Sequence, residues 1–159
     1  MSLPKDPLEA AWLKGDLQLP VADQAESPSA TGLPPWKKIE ADENGGFTGR
    51  ELASGWLVSY VDVPEEGVWL LSAQGNGSIR INGVPRVGDI YSNGMVELPV
   101  LLKAGKNTLI FAGARGRIAA RLKPVTKPLA LSLRDTTFPH VIHGENEPLW
   151  GALLVVNST

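Results

Sequence analysis

Arg86, Asp89 and Tyr91, within the stretch VPRVGDIYSNG, form the one loop cluster in this chain with the makings of a sugar site. A guanidinium and a carboxylate can fork onto vicinal hydroxyls, while a tyrosine ring stacks on the C–H side of a pyranose. The same residues fit a second arrangement, an Arg86–Asp89 ion pair that fixes a long connection with Tyr91 packed over it. Both readings stay open at the level of sequence.

Other candidate chemistry is thinner. His140 and His143 form an H-x-x-H beside Asp135, Glu145 and Glu147. That spacing on a loop lacks the i, i+4 helical face of a zinc-binding H-E-x-x-H, and no motif places a third ligand. Asp42-Glu43-Asn44-Gly45 has calcium-ligand residue types without the alternating D-x-D-x-D-G pattern. No cofactor is expected, with calcium at this turn as the weaker alternative. No G-x-S-x-G elbow is present, and the two histidines share one loop with no spacing that implicates a serine. Glu65 and Glu66 sit in a turn, where solvated carboxylates are the default. The expectation is that this chain is not an enzyme.

Composition narrows the partners. Fifteen Lys and Arg against seventeen Asp and Glu give a formal charge of −2, which offers no electrostatic case for nucleic acid or an anionic membrane. Arg115, Arg117 and Arg121 cluster locally, and a solvated strand face accounts for them. Cysteine is absent, which excludes disulfides, thiolate metal sites and a Cys nucleophile. No window approaches the ~18 apolar residues of a membrane span. The opening MSLPKDPLEA lacks an apolar h-region, so no signal peptide is expected within it. At 159 residues the chain fits one domain able to bury its own core.

The elements that must position these residues are strands. Residues 1–35 stand apart as a proline-rich arm, with a short helix predicted from Asp6-Pro7-Leu8-Glu9, proline at N1 and Glu9 in the first turn. Residues 36–159 read as one β domain. GWLVSYVDV alternates, Pro64-Glu65-Glu66-Gly67 turns the chain, and VWLLSA is predicted to run back as a hairpin partner. Asn82-Gly83 marks a type I′ hairpin after SIRI. Glu97–Leu102 and Thr108–Ala112 are predicted to form another hairpin around Lys103-Ala104-Gly105-Lys106-Asn107. Thr108–Ala112 (TLIFA) is apolar on both faces and should be covered on both sides. Trp56 and Trp69, on alternating strands, read as core, and Trp150–Val156 as a last, buried strand. One core is expected to hold Leu70, Ile79, Ile81, Leu109, Phe111, Leu131 and Val155. The fold expected is all-β, a two-sheet antiparallel jelly-roll sandwich.

Trp56, Val63-Pro64-Glu65-Glu66-Gly67 and Leu70-Leu71, then GNGSIRINGVPRVGD and ELPVLLKAGKNTLIF, resemble the galactose-binding-like jelly-roll domains. The nearest comparison is the glycosidase sugar-binding-type domain, through Ile81-Asn82-Gly83 and Leu102-Lys103-Ala104-Gly105-Lys106-Asn107. The tail from Asp135 to Asn157 is similar to modules that precede hydrolase domains in exported bacterial enzymes. The resemblance covers roughly residues 36–157 and implies a non-catalytic accessory module of a larger secreted hydrolase. It implies two partners, a carbohydrate and the parent's catalytic domain, and an extracellular or periplasmic location. The alternative it leaves is a structural or protein-interaction sandwich that braces a neighbouring catalytic domain without a small ligand.

Overall fold

The computed structural model describes residues 6–53, 55–144 and 147–158. Helix α1 (Pro7–Lys14) is capped by Asp6, whose carboxylate accepts from the Leu8 and Glu9 amides, and ends at Gly15 in the left-handed region. Twelve short strands follow among the described residues: β1 (Glu26–Ser27), β2 (Trp36–Lys37), β3 (Gly46–Thr48), β4 (Leu57–Val63), β5 (Gly67–Gln74), β6 (Ser78–Ile81), β7 (Val84–Val87), β8 (Glu97–Leu102), β9 (Gly105–Ala112), β10 (Arg117–Pro124), β11 (Leu129–Thr137) and β12 (Ala152–Asn157).

Two four-stranded antiparallel sheets, ordered β3-β10-β5-β8 and β4-β9-β6-β7, face each other. Leu71, Ala73, Val100, Leu102 and Ile118 from the first meet Leu57, Val63, Ile79, Ile81, Leu109 and Phe111 from the second in one buried cluster. This is the core of an all-β sandwich. Trp69 packs against its edge. The opposite side of the second sheet is covered too. Trp56, Ile110 and Ala112 lie there beneath Leu8, Trp12, Leu17 and Leu19 of the N-terminal arm and Trp36 of β2. Strand β9 is therefore buried on both faces, the outcome expected for TLIFA.

Polar ties hold the arm in place. Glu9 takes both oxygens to Arg80 Nη2 at 2.5 and 2.6 Å, and that guanidinium lies 5.0 Å from the Trp56 ring and 5.8 Å from Trp12. Trp56 Nε1 donates to Asp6 Oδ2 at 2.8 Å, and Trp36 Nε1 donates to the Gln18 carbonyl at 2.7 Å. Tyr60 donates its hydroxyl to the Pro20 carbonyl, and burial pushes that phenol above its ordinary pKa.

The Asn82-Gly83 turn joins β6 and β7 with both residues at positive φ, 50° and 84°, as a type I′ hairpin needs. Gly83→Val should cost about 1–3 kcal/mol, because a β-branched residue is strained at that φ. An unchanged chemical-denaturation midpoint would contradict this.

The other two predicted hairpins are not formed. Strand β4 pairs with β9, whereas β5 pairs with β10 and β8. The turns after Val63 and Leu102 carry the chain from one sheet to the other, so β4/β5 and β8/β9 are opposed across the core. A turn signal marks a reversal without specifying whether the reversed strand hydrogen-bonds or stacks. Three predicted core residues also fall elsewhere. Leu70 lies on the outer side of its strand, opposite the inward Leu71. Leu131 and Val155 are 57% and 53% exposed. They belong to a separate two-stranded ribbon, β11-β12, in which only Ser132 and Val156 are buried. Trp150 precedes that ribbon and is 84% exposed, so Trp150–Val156 is not a buried strand.

Candidate functional site

Three loops meet at one end of the sandwich around a cleft of about 190 Å³, lined by Gly75, Asn76, Gly77, Asp89, Ile90, Ser92, Gly113 and Arg115. Close backbone approach builds it. A Cβ on Gly88 would strike the Asn76 carbonyl oxygen and lie 2.7 Å from the Gly77 carbonyl carbon, so only glycine fits there. Asp89 follows and is 2% exposed. Its carboxylate accepts from the Asn93 amide at 3.2 Å and the Gly94 amide at 2.9 Å, closing the loop that carries Tyr91. Asn76 is fully buried; its Nδ2 donates to the Ser78 carbonyl at 3.2 Å while its Oδ1 has no hydrogen-bond partner among the described residues. An ordered water is the ordinary satisfier of such an acceptor.

The sequence-predicted trio is thus divided. Asp89 lies inside, holding backbone amides. Tyr91 stands on the loop at 84% exposure. Arg86 sits on the exposed strand β7, its Nη1 3.3 Å from the Pro85 carbonyl. Among the described residues no ion pair joins Arg86 to Asp89. The sequence signal missed here was burial: a loop aspartate two residues before a tyrosine looks the same whether it faces ligand or its own backbone.

At the Asp42 turn the carboxylate accepts from the Gly46 amide at 2.8 Å and the Asn44 amide at 2.9 Å, with Arg117 Nη2 at 3.4 Å. The two backbone hydrogen bonds, helped by Arg117, hold its pKa below the usual carboxylate value. His140 and His143 are exposed, and Glu145 lies outside the described residues. Among the described residues no three His, Asp or Glu side chains gather as a metal cluster. No helix among them is long and apolar enough to cross a membrane.

A different surface has the stronger physical signature. Register places Leu131 beside Val155 on the β11-β12 ribbon, and the strand period puts Leu129, Leu133 and Leu153 on the same side. Their exposures are 61% for Leu129, 70% for Leu133 and 41% for Leu153. The ribbon's other side is anchored on the sandwich: Ser132 Oγ donates to Glu97 Oε2, and Arg134 Nη1 donates to Ser72 Oγ at 3.0 Å. Phe138 and Trp150, 71% and 84% exposed, flank the ribbon's far end. Monomer surfaces scatter single apolar residues and seldom align five on one sheet face. No family model, curated protein or solved structure matches the chain.

Proposed function

We propose that this chain is a non-catalytic accessory module, a galactose-binding-like jelly-roll sandwich that braces a neighbouring catalytic domain of a secreted hydrolase. The aligned apolar face of Leu129, Leu131, Leu133, Leu153 and Val155 carries the reading. Two strands with one face in water are marginal by themselves; a layer packed on that face would stabilise them. Bracing is favoured over sugar binding because the carboxylate of Asp89, the acceptor a saccharide would need, is buried and bonded to backbone amides.

The test is binding in trans. The catalytic domain expected beside this module, expressed separately, should bind the chain with micromolar affinity by calorimetry. Leu131→Lys with Val155→Lys should weaken that by on the order of a hundredfold while the melting temperature stays within a few degrees. Equal affinity of variant and wild type removes the ribbon from the interface. A glycan-array signal lost in Tyr91→Ala, with no domain binding, turns the reading to carbohydrate.

A further inference from the structure

The outer face of the β3-β10-β5-β8 sheet carries a second concavity, of about 260 Å³, lined by Asn44, Ser72, Ala73, Gln74, Gly94, Ala119, Ala120, Arg121 and Arg134. Its floor follows from strand alternation. Ile118, Ala120 and Leu122 turn to the core, which sends Ala119 and Arg121 outward; Leu71 and Ala73 do the same for Ser72 and Gln74. Register then sets Ala119 beside Gln74 and Arg121 beside Ser72. Arg134 arrives from β11, on the ribbon side that faces the sandwich, and donates to Ser72 Oγ. Arg134 thus bonds Ser72, and Arg121 stands opposite Ser72 on the neighbouring strand.

The charges around them are uneven. Among the described residues no carboxylate lines the groove. Behind Ser72 lies Glu97, whose Oε1 accepts from Ser72 at 3.3 Å and whose Oε2 accepts from Ser132, so both oxygens are engaged by hydroxyls. Asp42 is turned to Arg117. Arg121 makes no ion pair or side-chain hydrogen bond among the described residues. Gln74 is oriented by a 3.1 Å bond from Nε2 to the Ser92 carbonyl, which fixes an amide at the groove wall. In a chain of net charge −2, a lining with two arginines and no carboxylate carries a local excess of positive charge, offset in part by Glu97 behind Ser72.

We propose that this groove binds a small molecule through an oxyanion, a carboxylate or phosphate group held between Arg121 and Arg134. The planar guanidinium fork matches both groups, and Ser72, Asn44 and Gln74 supply polar contacts to what the oxyanion carries. The site is separate from the ribbon's outer face, since Arg134 reaches inward from the opposite side.

Amide-resolved NMR titration of the whole chain at constant ionic strength tests it, with inorganic phosphate in one arm and acetate in the other. Saturable shifts of the Ser72–Gln74 and Ala119–Arg121 amides, with Kd on the order of 1–10 mM, are expected in at least one arm. The arm that responds identifies the oxyanion. Arg121→Gln leaves the fold intact, because that side chain is exposed and unpaired, and should weaken binding at least about tenfold. Arg134→Gln should do the same, and Arg86→Gln should change nothing. Absence of saturable shifts up to tens of millimolar in both arms, or wild-type affinity in Arg121→Gln, overturns the proposal.

Discussion

Phe111→Ala should lower the stability of this chain by about 3–5 kcal/mol, with a fall in melting temperature of roughly 10–15 °C. Phe111 is 2% exposed and lies near the end of β9, a strand flanked by β4 and β6, with Leu57 as its Cα partner on one side and Ile79 on the other. Truncation removes the ring from the contact between the two sheets, and flanking strands fixed by hydrogen bonds cannot collapse into the space. Phe111→Leu keeps most of the volume and should cost less than about 1.5 kcal/mol. Urea denaturation of the two variants separates cavity from chemistry. A loss below about 1 kcal/mol for the alanine variant would mean that Phe111 is not at the sheet interface.

Asn107→Ala should cost about 2–4 kcal/mol, although the residue is polar and lies next to a turn. Asn107 is fully buried and uses its complete hydrogen-bonding capacity. Its Oδ1 accepts from the Lys103 amide at 3.0 Å and from Asn82 Nδ2 at 2.8 Å. Its Nδ2 donates to the carbonyls of Lys103 at 2.8 Å and Gly105 at 2.9 Å. Asn82 completes the link by accepting from the Thr108 amide at 2.9 Å. One amide therefore locks the β8-to-β9 crossover to the β6-β7 hairpin. Asn107→Asp, nearly the same shape, should destabilise at least as much at neutral pH, because a carboxylate would face two carbonyls. Wild-type stability in the aspartate variant would show that packing, rather than the donors, is what matters.

The two asparagines show how much local sequence conveys. Asn82-Gly83 announces a turn because few dipeptides tolerate positive φ at both positions, and the hairpin forms there. The same reading assigns Asn107 to chain reversal and misses its role as a tertiary tie, since its partner Asn82 lies in the β6-β7 hairpin, distant in sequence. The candidate site fared similarly. Arg86, Asp89 and Tyr91 were legible as polar and aromatic loop residues, yet which of them met solvent depended on a glycine, Gly88, pressed against Asn76. Arg121 read as part of a solvated strand face, and nothing in its neighbourhood in sequence brings Arg134 to the same groove.

By itself the sequence determined the strands β4, β5, β6, β8 and β9, the short capped helix, the burial of β9 on both faces and the Asn-Gly turn. These rest on φ preferences and on a side-chain period of two, properties of residues close together in the chain. Only the tertiary structure decided that β4 and β5, or β8 and β9, oppose each other across the core instead of pairing. Hydrogen-bond partners come from distant segments, and a turn fits stacking as well as pairing. It also decided that Leu129, Leu131, Leu133, Leu153 and Val155 face outward. Alternation shows that a strand has one apolar side; what covers that side is fixed by the rest of the fold.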